Sequence, residues 1–428
     1  MTPMPEPPRT RNHVIDLARV ASVIVVVVFH GLLYQVRLVD GAPVVVPWAA
    51  PVGLYPLTWV LMIMPLFFVA GGFGHTLTVD RLRREGASYA YYLASRGRRL
   101  VGPVAVFVTF CAVVATAAAW LGPLDEVAEL GRQVMQLLWF ITVYLVIVAI
   151  APAMVSAHDR YGIAPMLALG ALAAGVDAWS FAVGDAQLRN LNMLTVWPLV
   201  HQLGIAYERG WFRRGPAWTA WACVAGGAAG VAVLVFGFGY PPTAVGFADL
   251  PIANIQPPTL AMAVLAVAQC GALGLLERSG VGASLPPRFA RVVAVGNALS
   301  VGVYLWHIGC ILLAGGLLLG LALAVPAASG FLLHQLTVAA VSLVVVAVVV
   351  PLLGRLELRL VPPLGGRPDG PLAVVAYAVL AASTLLVWQF GVVLHPMRPG
   401  STLGVIGIWV GSWLMARAAA PSERPVLS

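Results

Sequence analysis

Lysine is absent from this chain: all 25 basic residues among its 428 are arginine. Charge of either sign is scarce, at 10% of residues against roughly 25% in soluble domains. With 60% hydrophobic residues and a mean hydropathy of +0.91, that shortage excludes a globular enzyme carrying a single anchor. Cysteine is rare too. Cys111, Cys223, Cys270 and Cys310 all fall in apolar segments, with no CxxC and no metal-ligand spacing, so they read as small buried hydrophobes. No GxSxG occurs and no cluster of metal ligands, which sets aside serine-hydrolase and metal chemistry. Long polar stretches are missing as well, and with them any room for a soluble domain. The first apolar run, about 22 residues, exceeds a signal-peptide core, and no A-x-A cleavage site follows it. It reads as an uncleaved span.

What remains is an all-α polytopic membrane protein. A helix needs about 20 apolar residues to cross the hydrocarbon. That rule predicts twelve spans, near 15–37, 54–78, 99–121, 131–152, 161–183, 191–208, 216–238, 258–277, 294–323, 330–353, 371–394 and 402–418. With the N-terminus in the cytoplasm, 21 of the 25 arginines fall on the inner side, leaving only Arg37, Arg132, Arg189 and Arg398 outside. This is the positive-inside pattern, and it puts both termini in the cytoplasm. The net charge of +8 therefore reports topology, and nucleic acid is not an expected partner.

Hydrocarbon makes ionisable residues expensive, so those within spans are candidate functional residues. "DLARVASVIVVVVFHG" (16–31) carries Arg19 and His30 in the first span. Eleven residues of helix rise about 16.5 Å and turn about 1100°, so the two side chains share one face, with Arg19 near the cytosol and His30 deeper. Asp16, one turn before Arg19, is placed to pair with it. His201 and Gln202 in "VHQLG", and Tyr304, Trp306 and His307 in "YLWH", are further candidates for lining a cavity. A buried neutral imidazole suits proton transfer. The stretch "VDRLRREGASYAYYLASRGRRLVGP" (79–103) reads as the longest inner loop, a basic patch whose arginine forks suit phosphate oxygens or anionic lipid.

Together these residues resemble the membrane acyltransferase-3 family. Arg19, ten intervening residues and His30 match its R-x10-H signature. "MPLFFVAGGFGHTL" (64–77) is similar to its FFxxSGF segment, with Gly71 in place of Ser. "YLASRGRRLVGP" resembles its RxxR element through Arg96 and Arg99. "LWFITVYLVIVAIAP" and "ALSVGVYLWHIG" are similar to two later spans. The resemblance covers about 12–350 and implies a ten-span core that transfers an acyl group, usually acetyl, from cytosolic acyl-CoA to a hydroxyl of a glycolipid, envelope glycan or small metabolite. It implies catalytic roles for His30 and Arg19, and donor binding by Arg96, Arg99 and Arg19. Acyl-CoA would be a co-substrate rather than a bound cofactor. The location implied is the inner membrane of a bacterium. The expected division is a cytoplasmic segment 1–14, the core 15–353, two added spans in 354–420 and a tail 421–428.

A twelve-span secondary transporter of the major-facilitator type is the rival, since "GHTLTVDRLRR" (74–84) partly echoes the GxxxDRxGRR loop of that class. A heparan-glucosaminide type of membrane N-acetyltransferase shares the donor logic but has different motifs. Two chemical routes are compatible with the residues. His30 can deprotonate an acceptor for direct attack on the thioester, or become acylated itself and relay the group. Direct attack is preferred, since no second base for a relay stands out.

Overall fold

A backbone in hydrocarbon must satisfy its own hydrogen bonds, and apolar runs of this length do so as helices. In the computed structural model, which describes residues 12–39, 42–247, 249–250, 252–365 and 368–420, most of the described residues are helical. Residues 1–11 of the expected N-terminal segment and the tail 421–428 lie outside the described residues, with Arg9, Arg11, Arg367 and Arg424. The helices are α1 (His13–Leu32), α2 (Tyr55–Val60), α3 (Met64–Arg84), α4 (Tyr89–Leu121), α5 (Leu124–Val134), α6 (Leu138–Tyr161), α7 (Ala164–Val183) and α8 (Val196–Glu208). They continue with α9 (Ala217–Phe238), α10 (Leu260–Arg278), α11 (Pro287–Ala324), α12 (Ser329–Leu332), α13 (Gln335–Arg359), α14 (Gly370–Phe390) and α15 (Pro399–Ala419).

Among the described residues, eleven helical segments are long and apolar enough to cross a membrane. The expected span 191–208 is the exception. It is split between a 3-10 turn over Ala186–Leu194 and α8, a helix of only 13 residues. Every residue of α8 is buried, so protein rather than lipid surrounds it and it need not span by its own length.

Three expectations from hydropathy are corrected. The first span does not run to 37. Gln335 Nε2 donates to the Leu32 carbonyl at 2.6 Å where α1 ends, and the chain turns into a hairpin of β1 (Tyr34–Val39) and β2 (Ala42–Pro47). The strands pair antiparallel. His30 accordingly lies in the last turn of α1. The second correction concerns the long inner loop, which shrinks to residues 85–88. Ser88 caps α4 by accepting from the Tyr91 amide at 3.2 Å, so Arg96, Arg98 and Arg99 stand on a helix rather than a loop. Third, α11 extends to 38 residues, well beyond the expected 294–323.

Helix ends expected on the inner side do meet one another. Arg209 binds Asp80 at 2.7 Å and Asp159 at 2.9 Å, joining the ends of α8, α3 and α6. Arg278 donates to the Gly215 carbonyl at 2.9 Å, and Asn12 bonds Glu277 beside it. The Gly365 amide donates to the Ala419 carbonyl at 2.7 Å, which brings the end of α15 to this same side. At the opposite side, Trp388 Nε1 meets Gln136 at 3.2 Å and Arg398 pairs with Asp125.

Helices α14 and α15 brace α6 and α4. Tyr377 of α14 donates to the Leu145 carbonyl at 2.8 Å, and Trp409 of α15 donates to Thr109 at 2.9 Å. A Cβ at Gly97 would lie 2.6 Å from Met415 and 3.1 Å from Tyr377, so these helices press on α4 within the arginine segment itself. Close approach through glycine also fixes α3 against α8. A Cβ at Gly72 would collide with the His201 carbonyl, and one at Gly204 with that of Val69.

Candidate active site

Helices α1, α3, α4, α6, α11 and α13 enclose a cavity of about 710 Å³, within the usual range of ligand pockets, roughly 300–1,000 Å³. It reaches the surface at Arg99 and Leu358, on the arginine-rich side, and its lining ends at Phe67, Phe140 and Tyr304. Four arginines line it, Arg19, Arg96, Arg98 and Arg99, against two carboxylates, Asp16 and Glu357. The surplus of positive charge favours anions at the entrance.

The arginines are held unequally. Arg96 donates to Thr78 Oγ1, and Arg98 Nη1 donates to the Pro362 carbonyl at 2.7 Å. Their Nε donors are buried without a partner among the described residues. Arg19 makes no hydrogen bond or ion pair to another described residue, so the expected Asp16–Arg19 pair is not formed. Instead the Asp16 carbonyl accepts from Asn297 Nδ2 at 3.2 Å, which ties α1 to α11. Buried donors without partners, on fixed helices, suit a ligand that brings phosphate oxygens.

Two pairs of imidazoles lie at or beyond the inner part of the cavity. His30 of α1 and His307 of α11 stand edge to face, their ring centroids 4.8 Å apart. A carbonyl oxygen can only accept, so His30 Nδ1–H donates to Val26 at 2.9 Å and His307 Nδ1–H to Tyr304 at 2.6 Å. Each neutral ring then keeps a lone pair on Nε2, the form a general base requires. His307 Nε2 is buried with no partner among the described residues. The second pair is His75 of α3 and His201 of α8, with Nδ1 of the first and Nε2 of the second 2.9 Å apart.

Of the residues expected to line a cavity, Asp16 and Tyr304 do so, together with the donor-binding candidates Arg19, Arg96 and Arg99. His30 and His307 do not reach the lining. They lie past Tyr304, whose ring is 5.8 Å from that of His307. His201 is screened by His75, and Gln202 turns away to the Met154 carbonyl at 3.3 Å. Trp306 packs on Phe107 and Phe110 and donates to Glu357 Oε1 at 2.9 Å. Sequence reasoning missed His75, Arg98, Tyr144, Asn297 and Glu357. His75 carried a usable signal, an ionisable residue inside an apolar run; the others needed the helix packing. Among the described residues no group of three His, Cys, Asp or Glu converges as metal ligands would. At the opposite side a second pocket, about 380 Å³, is lined by Gln35, Arg37, His334 and Gln335 beside the last turn of α1.

The model of the acyltransferase-3 family, an acyltransferase domain, matches residues 12–354. The chain belongs to the acyltransferase-3 family. No curated protein and no solved structure matches it. As a multi-pass membrane acyltransferase it leaves the transporter reading without support. The motif that echoed a transporter loop has a local role here, since Asp80 and the neighbouring Arg83 belong to the ion network of Arg209 and Asp159.

Proposed function

We propose that this membrane acyltransferase takes an acyl group, acetyl in the simplest case, from acyl-CoA entering at the arginine-rich side. It passes the group to a hydroxyl of a glycolipid, envelope glycan or small metabolite. The observation that carries the reading is the cavity itself, which has four arginines along its walls and two imidazoles beyond its inner end. The nucleotide phosphates would meet Arg19, Arg96, Arg98 and Arg99, and the pantetheine arm would run inward toward Tyr304. We place the enzyme in the inner membrane of a bacterium, with the arginine-rich side in the cytoplasm.

The chemistry follows from the tautomers. Nε2 of His30 takes the proton of the acceptor hydroxyl as its oxygen attacks the thioester carbonyl. The C–S bond breaks as the carbonyl re-forms, and the imidazolium returns its proton to the CoA thiolate. His307, in ring contact with His30, supplies a second neutral imidazole beside the base. The pocket by Gln35 and Gln335 supports an acceptor arriving from the opposite side, since it abuts the turn that carries His30.

Membranes containing the full chain, given acetyl-CoA labelled in its acetyl group, test the reading. Label should move into a lipid, glycan or small-molecule fraction as free CoA appears. Label that stays on CoA would overturn it.

A further inference from the structure

Tyr144 faces the cavity from α6, and behind it the two histidines of α3 and α8 form a chain: Tyr144 Oη lies 3.2 Å from His75 Nε2, and His75 Nδ1 lies 2.9 Å from His201 Nε2. The far end of the chain, His201 Nδ1, is buried with no partner among the described residues. That one atom sets the direction of every proton in the chain. A neutral imidazole carries a single N–H. Placed on Nδ1 of His201, it would be an orphaned buried donor, the rarest kind of unsatisfied group. Placed on Nε2, it donates to His75 Nδ1 and leaves only a bare lone pair behind.

With Nδ1 of His75 accepting, its own proton must sit on Nε2, and that N–H donates to the Tyr144 oxygen. The phenol therefore acts as an acceptor toward the protein, and its own proton is directed into the cavity. Accepting a hydrogen bond also makes it a stronger donor in turn. The depth of this hydroxyl is marked by its neighbours. Thr78, the partner of Arg96, stands three residues from His75 on α3, about 4.5 Å along the helix. The Tyr144 hydroxyl thus lies about one turn inward of a phosphate-binding arginine and short of the cavity end at Phe140 and Tyr304.

We propose that the Tyr144 hydroxyl donates a hydrogen bond to an amide carbonyl of the pantetheine arm of the donor, and that His75 and His201 are positioning residues that hold its proton toward the cavity. This rests on the reading of acyl-CoA as the donor. It makes Tyr144 the residue by which the cavity recognises the pantetheine arm, separately from the phosphates held by arginine.

Two probes separate these contacts: CoA, which carries the arm, and adenosine 3′,5′-bisphosphate, which carries nucleotide phosphates but no arm. Affinities are measured on the full chain in nanodiscs. Tyr144→Phe is expected to weaken CoA about fivefold to tenfold, the value of one neutral hydrogen bond, and to leave the bisphosphate within about twofold. Arg96→Ala, by contrast, should weaken both. His201→Leu should match Tyr144→Phe, while His201→Gln, whose amide can still donate to His75, should bind CoA nearly as the parent does. Adding Tyr144→Phe to His201→Leu should cost nothing more, because the histidines act only through Tyr144. Equal CoA affinity in Tyr144→Phe and the parent would overturn the proposal, even if acyl transfer fell. So would equal losses for CoA and the bisphosphate, which would mark a phosphate contact. If the parent chain bound neither probe, the donor reading itself would fall and this inference with it.

Discussion

The imidazole rings of His30 and His307 meet edge to face, 4.8 Å between centroids, with each Nδ1 proton given to a backbone carbonyl of its own helix. Both rings are thereby oriented with a lone pair on Nε2, so the proposed chemistry would place proton transfer at one contact between α1 and α11. His30→Ala is expected to lower acyl transfer at least about 100-fold, the lower end of what a positioned base contributes. Expression and membrane insertion should stay near the parent level, since an apolar side chain is welcome at that position. Initial rates of label transfer, in membranes matched for protein content, provide the check. A variant keeping more than about a tenth of the parent rate would remove His30 as the base.

Arg96→Ala and Arg99→Ala are expected to weaken acyl-CoA binding, each charge-assisted contact being worth about 1.5–3 kcal/mol. The loss should be smaller at Arg99, which is exposed, than at Arg96, which is half-buried and held by Thr78. Turnover of a short thioester without phosphates, such as acetyl-N-acetylcysteamine, should be unaffected. Equal losses with both donors would point to damaged packing of α4 instead.

Arg19→Lys keeps the charge of a side chain that bonds no other described residue, yet full activity should not return. An ammonium cannot reproduce the planar fork that grips two phosphate oxygens at once. We expect about tenfold weaker binding of adenosine 3′,5′-bisphosphate, read by isothermal titration. Unchanged binding would show that Arg19 does not touch the phosphates.

Gly72→Ala would drive a Cβ into the His201 carbonyl and to 3.0 Å from Cα of Gly204, at the backbone contact of α3 with α8. Overpacking of this kind costs about 1–3 kcal/mol, so the thermal transition in detergent should fall by several degrees. Gly226→Ala, where a Cβ meets nothing within 4 Å, is the matched control and should leave the transition in place.

Scarce charge, arginines gathered mostly on one side of the apolar runs, and runs of spanning length determined the class of this protein and its division into spans, because hydrocarbon leaves the backbone little choice but the helix. Arg19 and His30 were legible for the same reason: an ionisable side chain among valines is conspicuous, and the helical repeat puts the two on one face. Hydropathy was blind wherever protein replaces lipid as the surroundings. It extended the first span through a hairpin, gave the crossing at 191–208 a single helix where a 3-10 turn and a buried 13-residue helix share it, and read the helical start of α4 as a loop, because those outcomes depend on caps and on contacts with distant helices.

Only the tertiary structure decided which polar residues share a site. His75 and His201 meet because glycines 72 and 204 let two backbones touch, and His30 meets His307 because α1 packs along α11. Spacing along one helix is set by a 1.5 Å rise and can be computed from sequence. Which side chain faces it across a gap is set by the packing of whole helices. For that reason the arginine–histidine signature was legible in the chain, whereas the Tyr144–His75–His201 hydrogen-bond chain, drawn from three helices, emerged only once they were packed.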